Sequence, residues 1–167
     1  CHYFYSPFYS SVVLFYDIVV SGSVDTTTVG VYTLSYNVTD DNDNDAVQVT
    51  RTVNVVDTTI PVITLLGEET VTIEVGTTYT DAGATALDNY DGDITNDIVV
   101  SGSVDTTTVG VYTLSYNVAD DNDNNAVAIT RTVNIEDTTI PVITLLGDAT
   151  VTIEVGTTYT DAGATAL

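Results

Sequence analysis

Three short stretches of the chain concentrate carboxylate and amide side chains that could bind a metal ion. They read DDNDND at 40–45, DNYDGD at 88–93 and DDNDNN at 120–125. Ca²⁺ takes about six to eight oxygen ligands, and alternating Asp and Asn on a turn supply such oxygens. The sequence therefore predicts calcium ligands in these loops and at the junctions between repeats. The candidates are Asp88, Asp91, Asp93, Asp120, Asp121 and Asp123, with Asp40, Asp41, Asp43, Asp57 and Asp137 as the repeat-related or junction set.

These acidic stretches do not form an EF-hand, because no Glu follows at the twelfth position and strands, not helices, are expected on either side. Several carboxylates in one loop repel one another within the Debye length of about 8 Å, and a bound divalent cation would relieve that repulsion. The alternative is a solvated acidic turn, since Asp and Asn are ordinary turn formers. Both interpretations remain open from the sequence.

The composition narrows the range of partners and chemistry. The formal net charge of −22 excludes nucleic acid and anionic membranes as expected partners. Lysine is absent, and no run of about 18 apolar residues suggests a membrane span. His2 lies beside the single cysteine, Cys1, but no third group orients them, so we expect no enzyme activity. Arg51 and Arg131, the two fixed cations, are expected to form surface ion pairs of little energetic weight.

A repeat dominates the sequence. Residues 18–87 return almost unchanged at 98–167, an offset of 80 residues. Near-identity at a fixed period is typical of a tandem array of small domains. Each copy contains runs rich in Val, Ile, Thr and Tyr, such as TVTIEV (70–75) and VYTLSYNV (111–118). In the second run, Tyr112, Leu114, Tyr116 and Val118 alternate with polar residues, which predicts a half-buried strand.

Glycines and Asn/Asp clusters separate these runs, as expected for an antiparallel sandwich. The strings DTTIPVITLLG, TIEVGTTYTDAGATALDNYDGDIT and VGVYTLSYNVADDNDNNAVAITRTVNI resemble the bacterial immunoglobulin-like (Ig-like) domains that occur in tandem on large secreted and surface proteins. The resemblance implies an extracellular β-sandwich used as a stalk or adhesive module, with no enzyme activity. The stretch ADDNDNNA at 119–126 departs from the short turn usual in that family.

If each copy begins at DTTIP, the complete domain spans 57–136, with a C-terminal half-domain at 18–56 and an N-terminal half-domain at 137–167. A half-sandwich exposes strand edges and an apolar face. We therefore expect the 137–167 half of one molecule to complete the 18–56 half of the next, which gives a head-to-tail filament. A window cut from a longer gene is the alternative.

Residues 1–17, CHYFYSPFYSSVVLFYD, form an aromatic N-terminal segment. Exposed, such a segment favours aggregation, so we expect it to be buried at a subunit junction, with an artefactual terminus as the alternative.

The sequence thus predicts an all-β extracellular or cell-surface protein of bacterial or archaeal origin, assembling with itself and stabilised by Ca²⁺. The alternatives are a spacer or ligand-binding module of a large adhesin and a carbohydrate-binding accessory domain. The latter would need an exposed aromatic platform, for which Tyr79, Tyr90, Tyr112 and Tyr116 are candidates, although alternation assigns the last two to the core.

Overall fold

A computed structural model describes residues 17–167, which fold into short β-strands. Two compact units are present, one ending at Thr58 and the other spanning Thr59–Leu167. The first contains β1 (Val19–Ser21), β2 (Gly30–Asn37) and β3 (Val49–Val55). The second contains β4 (Val62–Leu65), β5 (Thr70–Glu74), β6 (Ala84–Asp88), β7 (Gly92–Asp93), β8 (Val99–Ser101), β9 (Gly110–Asn117), β10 (Ile129–Glu136), β11 (Ile143–Leu145) and β12 (Ala164–Ala166).

The predicted all-β class is confirmed. Within residues 17–167 the one helical element is a 3₁₀ turn at Thr95–Asp97. This part of the chain also has no helix with the length and hydropathy of a membrane span. The boundaries predicted from the repeat, with a complete domain at 57–136, stay a prediction.

In the first unit, the three strands form one antiparallel sheet in the order β1-β2-β3. Tyr36 pairs with Val20 on one side and Val49 on the other, and Leu34 pairs with Arg51. No residue of these three strands is buried. Among the described residues of the first unit, this sheet therefore has its hydrogen bonds but no second layer packed on it.

The second unit packs two sheets around a core. One has the order β5-β10-β9-β8, with β5 parallel to β10, and the other has the order β4-β6-β7. Buried side chains from both sheets and their loops form one apolar cluster: Ile63, Ala86, Ile94, Leu114, Tyr116 and Val118. This arrangement is a small β-sandwich.

The alternation predicted for residues 111–118 is confirmed. Leu114, Tyr116 and Val118 are buried and Tyr112 is half-buried, whereas Thr113 is exposed. The side chains of one strand face alternate sides of a sheet, so this pattern turns every second residue towards the core.

Residues 137–167 contain only two strands, β11 and β12, which pair antiparallel. The sequence TVTIE at 70–74 forms β5, which pairs with β10. The same five letters at 150–154 form no strand. Because the letters are identical, the presence of a neighbouring strand decides which conformation they adopt.

Candidate functional site

Three of the predicted acidic ligands come together at one end of the second unit. Asp88, Asp91 and Asp120 each present a carboxylate oxygen, and these oxygens lie within 4.8 Å of one another. Asp88 ends strand β6, Asp91 lies in the turn to β7, and Asp120 follows β9. We call these three residues the acidic triad.

The turn from β6 to β7 is built around Asp88. Its Oδ1 atom accepts hydrogen bonds from the backbone N–H groups of Tyr90 (2.7 Å) and Asp91 (3.1 Å). Its Oδ2 atom is buried and has no hydrogen-bond partner among the described residues. An ionised oxygen buried in this way is costly unless a cation or donor compensates it.

The loop after β9 folds around Asp120, which is 7% exposed. Its Oδ1 atom accepts from the N–H groups of Asn122 (2.9 Å) and Asn124 (2.7 Å), and its Oδ2 atom accepts from the side-chain amide of Asn124 (2.8 Å). Burial raises the pKa of Asp120, but the hydrogen bonds from Asn124 and Asn122 outweigh it, so the net shift of the pKa is downward. Asp120 is therefore ionised at neutral pH.

A hydrogen bond connects the two loops. The backbone N–H of Asp121 donates to Oδ2 of Asp91 at 3.0 Å. Asp123 adopts a left-handed backbone conformation with φ of 64°, which closes the tight turn. This local geometry places Asp91 and Asp120 on the same side of the unit.

The remaining predicted ligands lie outside the triad. Asp93 is exposed and its Oδ1 atom accepts from the N–H of Thr95. Asp137 is exposed and accepts from the N–H of Thr139. Asp57 lies in the first unit and is half-buried. Asp121 and Asp123 are exposed in the loop after β9. The last three, Asp40, Asp41 and Asp43, belong to the first unit.

The loop around Asp40 in the first unit has the same hydrogen bonds as the loop around Asp120. Its carboxylate accepts from the N–H groups of Asn42 and Asn44 and from the side-chain amide of Asn44. Hydrogen bonds from the Asn44 side chain and backbone lower the pKa of Asp40. The turn itself is thus a property of the DDNDN sequence and forms in both copies.

A second polar site, centred on Arg131, lies inside the second unit. The prediction that this arginine lies at the surface is wrong. Arg131, expected at the surface, is 1% exposed. Its Nη1 atom is ion-paired to Asp81 Oδ1 and also donates to the hydroxyl of Tyr116 at 3.1 Å. Its Nη2 atom donates to the carbonyls of Leu66 and Gly83, and its Nε atom donates to the carbonyl of Glu68 at 3.0 Å.

Two tyrosines complete this cluster around Asp81. The hydroxyl of Tyr116 donates to the carboxylate at 2.8 Å, and that of Tyr79 donates at 3.0 Å. Burial and the hydrogen bond to Asp81 raise the pKa of Tyr116 to about 12. Burial raises the pKa of Asp81, but its hydrogen bonds from Tyr116, Arg131 and Tyr79 bring the net pKa below the ordinary value. We call Arg131, Asp81, Tyr116 and Tyr79 the arginine cluster.

The alternation of β10 carried the signal for this burial. Arg131 has the same parity as Val133 and Ile135, both of which are buried. Arg131 therefore faces the core, where an arginine requires partners for its five N–H donors. The cluster supplies a carboxylate, a hydroxyl and three backbone carbonyls as these partners.

The tyrosines considered for a carbohydrate platform do not lie together on a surface. Tyr116 is fully buried, Tyr79 and Tyr112 are half-buried, and Tyr90 is the most exposed of the four. The predicted burial of the aromatic segment at a junction concerns residues 1–17, and all but Asp17 lie outside the described residues.

The chain matches the family model described as "Bacterial surface protein, Ig-like domain" over residues 11–55 and 63–135. It is 34% identical over 149 residues to Hyalin from the sea urchin Strongylocentrotus purpuratus, a match that covers 82% of this chain and 12% of Hyalin. The chain thus spans a small part of that relative.

Two solved structures share weaker likeness. A lipoprotein from Bacteroides thetaiotaomicron is 31% identical, with a TM-score of 0.43 over 48% of this chain and 39% of that chain. A Clostridium perfringens structure of CBM51-2 and INT domains is 24% identical, with a TM-score of 0.38 over 58% of this chain and 21% of that chain. At such TM-scores neither likeness bears on the function of this chain.

The family model covers most of the sequence, and it confirms the resemblance identified from the repeat motifs. The chain belongs to the Ig-like domain family of bacterial surface proteins.

Proposed function

We propose that this surface Ig-like module is a structural protein that joins copies of itself head to tail by completing split Ig-like domains, with Ca²⁺ bound at the acidic loops. Membership of a bacterial surface family supports an extracellular location. The proposal assigns the chain a mechanical role and no catalytic one.

The observation that carries the proposal is a difference in burial between equivalent residues. Ile63 is 8% exposed in the second unit's core, and its equivalent Ile143 is 73% exposed. Val133 is fully buried, whereas its equivalent Val53 is only half-buried. Residues 18–56 and 137–167 therefore each expose side chains whose equivalents within 59–136 are covered by the opposite sheet.

Completion of these surfaces would release free energy. Burial of a large aliphatic side chain contributes about 1.5 to 3 kcal/mol relative to exposure. Strand addition also satisfies the free backbone groups at the edge of a sheet. Because donor and acceptor surfaces differ, the contact is heterologous, and one molecule can extend the next without limit unless the rotation closes a ring.

Calcium is the second part of the proposal, and the acidic triad supports it. Asp88 offers a buried oxygen without a hydrogen-bond partner, and all three donors are carboxylate oxygens, which suit a hard cation such as Ca²⁺. Asp57, Asp93 and Asp121 stay predicted contributors from neighbouring positions. Bound Ca²⁺ would neutralise the repulsion within the triad and fix the two loops to each other.

Assembly is tested by measuring the mass of the purified chain as a function of concentration, with light scattering after size exclusion. We expect the mass to rise above the monomer value of 17.7 kDa. The variant Ile143→Asp should stay monomeric. Val142→Asp is the matched control, because Val142 and its equivalent Val62 are both 64% exposed. A wild-type chain that remains monomeric at every concentration would disprove assembly.

Calcium binding is tested by calorimetric titration and by thermal melting with and without EDTA. Ca²⁺ at about 100 times its dissociation constant should stabilise the second unit by about 2.7 kcal/mol. Asp88→Asn should abolish this gain, whereas Asp93→Asn, outside the triad, should retain most of it. A melting curve unaffected by either Ca²⁺ or EDTA would remove the ion from the proposal.

The alternative function is a spacer within a larger surface protein. In that case the completing segments would come from neighbouring repeats of the same polypeptide. Because the copies are nearly identical, a neighbouring repeat of the same polypeptide would make the same contacts as a second molecule. The repeat therefore supports this candidate equally. A longer polypeptide with further complete repeats that stays monomeric would favour it over self-assembly.

A further inference from the structure

Both halves of the arginine cluster exist a second time in the chain, on separate segments. Arg51 and Tyr36 of the first unit are the equivalents of Arg131 and Tyr116. Asp161 and Tyr159 are the equivalents of Asp81 and Tyr79. The basic half is thus present in residues 18–56, and the acidic half is present in residues 137–167.

Each separated half keeps one contact of the complete cluster. The guanidinium of Arg51 lies 5.7 Å from the ring centre of Tyr36, the same distance as that between Arg131 and Tyr116. The hydroxyl of Tyr159 donates to Asp161 at 3.0 Å, as the hydroxyl of Tyr79 does to Asp81. These two contacts are therefore formed before the halves meet.

The acidic half borders an open groove. The groove has a volume of about 620 Å³, and its lining includes Leu146, Asp148, Tyr159, Asp161 and Gly163. In the second unit's core, residues equivalent to part of this lining, among them Tyr79, border a separate space of about 260 Å³ together with Arg131, which is paired with Asp81. In the complete cluster the arginine and its strand therefore take up space that is open beside Asp161.

Charge supports an arginine as the occupant. The chain has only two fixed cations among 24 acidic residues, and Arg131 is already paired with Asp81. Arg51 is exposed, and within residues 17–167 it forms no ion pair. Asp161 is likewise exposed. Arg51 is thus the one fixed cation left to meet Asp161.

We propose that Arg51 of one molecule inserts into this groove on a second copy, where it pairs with Asp161 and donates to the carbonyls of Leu146 and Gly163. Strand β3 then lies parallel to residues 150–154 of the second copy, with Thr52 opposite Thr150, as Thr132 lies opposite Thr70 in the second unit. The inference rests on the proposed self-assembly and adds the contact that selects the partner and sets the register.

The geometry requires arginine rather than any cation. Arg131 uses Nε, Nη1 and Nη2 at once to reach three carbonyls, a carboxylate and a hydroxyl. Lysine has three donors at one point and cannot span these acceptors. Arg51→Lys should therefore weaken association nearly as much as Arg51→Ala, which a simple attraction of opposite charges would not predict.

The test uses two full-length variants, Arg51→Ala and Asp161→Ala, alone and mixed. Both residues are exposed, so the isolated chains should remain folded, which circular dichroism checks. Each variant alone should associate with itself at least about 100-fold more weakly than wild type does, because a buried ion pair is broken. Mixed in equal amounts, they should form dimers that do not extend, because only one intact Arg51–Asp161 contact is available per pair. Thr50→Ala is the control, since its equivalent Thr130 stays exposed.

The outcomes separate this inference from the proposed assembly. Wild-type oligomers together with unaffected alanine variants would overturn the arginine contact and leave assembly standing. A monomeric wild type would overturn assembly, and a labelled peptide of residues 46–56, AVQVTRTVNVV, then decides about the groove. Binding of that peptide, lost when its arginine is replaced by alanine, would support the contact. No binding would overturn it.

Discussion

Residues 59–136 and the two segments that flank them, 18–56 and 137–167, contain nearly the same residues in different environments. TVTIE is a paired strand at 70–74 and an unpaired segment at 150–154. The arginine of the VTRTVNV segment is exposed at position 51, and its equivalent at 131 is 1% exposed. Because the local sequence is nearly constant, the comparison isolates the effect of the neighbouring strands.

The structure that residues 18–56 and 137–167 share with residues 59–136 consists of local strand pairs. The β2–β3 and β9–β10 pairs have the same register, with Leu34 opposite Arg51 and Leu114 opposite Arg131. What is absent depends on residues far apart in sequence, such as the Arg131–Asp81 pair, whose members are separated by 50 positions. Hairpins therefore form from their own sequence, whereas the core and the arginine cluster require segments that are far apart in the sequence.

The largest effect is expected for Arg131→Ala. Removing the guanidinium leaves Asp81 and three carbonyls without their partner, so the second unit should lose about 3 to 5 kcal/mol of unfolding free energy. Arg51→Ala, the same change in the first unit, should alter stability by less than about 0.5 kcal/mol in a dilute chain. Urea unfolding followed by circular dichroism measures both. Equal losses at the two positions would show that the copies do not differ as described.

Next in size are glycine substitutions in both copies. Gly102 and Gly22 have φ values of 96° and 95°, and an added Cβ would clash with the carbonyl oxygens of Thr113 and Thr33. Either alanine variant should weaken its own sheet by about 2 kcal/mol. Gly92→Ala, with positive φ but open space, should cost about 1 kcal/mol. Hydrogen exchange of each hairpin provides the measurement, and an effect confined to one copy would contradict the local equivalence.

A smaller effect is expected for the tyrosine hydroxyl. Tyr116→Phe removes a hydrogen bond to Asp81 and should cost about 1 to 1.5 kcal/mol. Tyr36→Phe should be nearly neutral in the dilute chain, because Asp81 has no counterpart within residues 17–56. Urea unfolding of the two variants compares them directly. A neutral Tyr116→Phe would mean that the hydroxyl does not stabilise the cluster.

The smallest expected effect concerns the linker that follows the second unit's core. Glu74 accepts hydrogen bonds from the backbone and hydroxyl of Thr138 and from the hydroxyl of Thr139. These bonds, led by that from the Thr138 side chain, lower the pKa of Glu74 to about 2 from 4.5. A lowered pKa means that the stabilisation is complete above pH 4.5 and disappears as the pH falls through about 2.

An NMR titration of the Glu74 side-chain carboxyl should therefore show a midpoint near pH 2. Thr138→Val should move the midpoint upward, because it removes the donating hydroxyl. Glu154→Gln, the change at the equivalent position in 137–167, should leave stability unaltered. A midpoint for Glu74 at its ordinary value would refute the linker contact.

Much of this fold is predictable from the sequence, because strand alternation and turn residues are local signals. Leu114, Tyr116 and Val118 are assigned to the core by parity alone, and the structure confirms them. The same parity rule places Arg131 on the core face, which outweighs the general expectation that an arginine forms a surface ion pair. Its carboxylate and carbonyl partners lie at distant positions that no local pattern connects.

The acidic site was predictable only in part. Residue type identified Asp88, Asp91 and Asp120 as candidates, and the structure brings their carboxylates together. Residue type also selected Asp93, Asp121 and Asp123, whose side chains are exposed outside the triad. Which carboxylates converge depends on how the β6–β7 turn meets the loop after β9, and this is fixed by the sandwich rather than by either loop.

The most direct test of the account is hydrogen exchange, read by mass spectrometry, on the wild-type chain at low and high concentration. The account predicts that β10 is protected at both concentrations, because β5 and β9 flank it. It predicts that residues 150–154 exchange rapidly when dilute, whereas β3 is then protected only by its pairing with β2, and that both segments gain protection together as the concentration rises. Protection of those two segments that is unchanged by concentration would contradict the claim that one molecule completes the next.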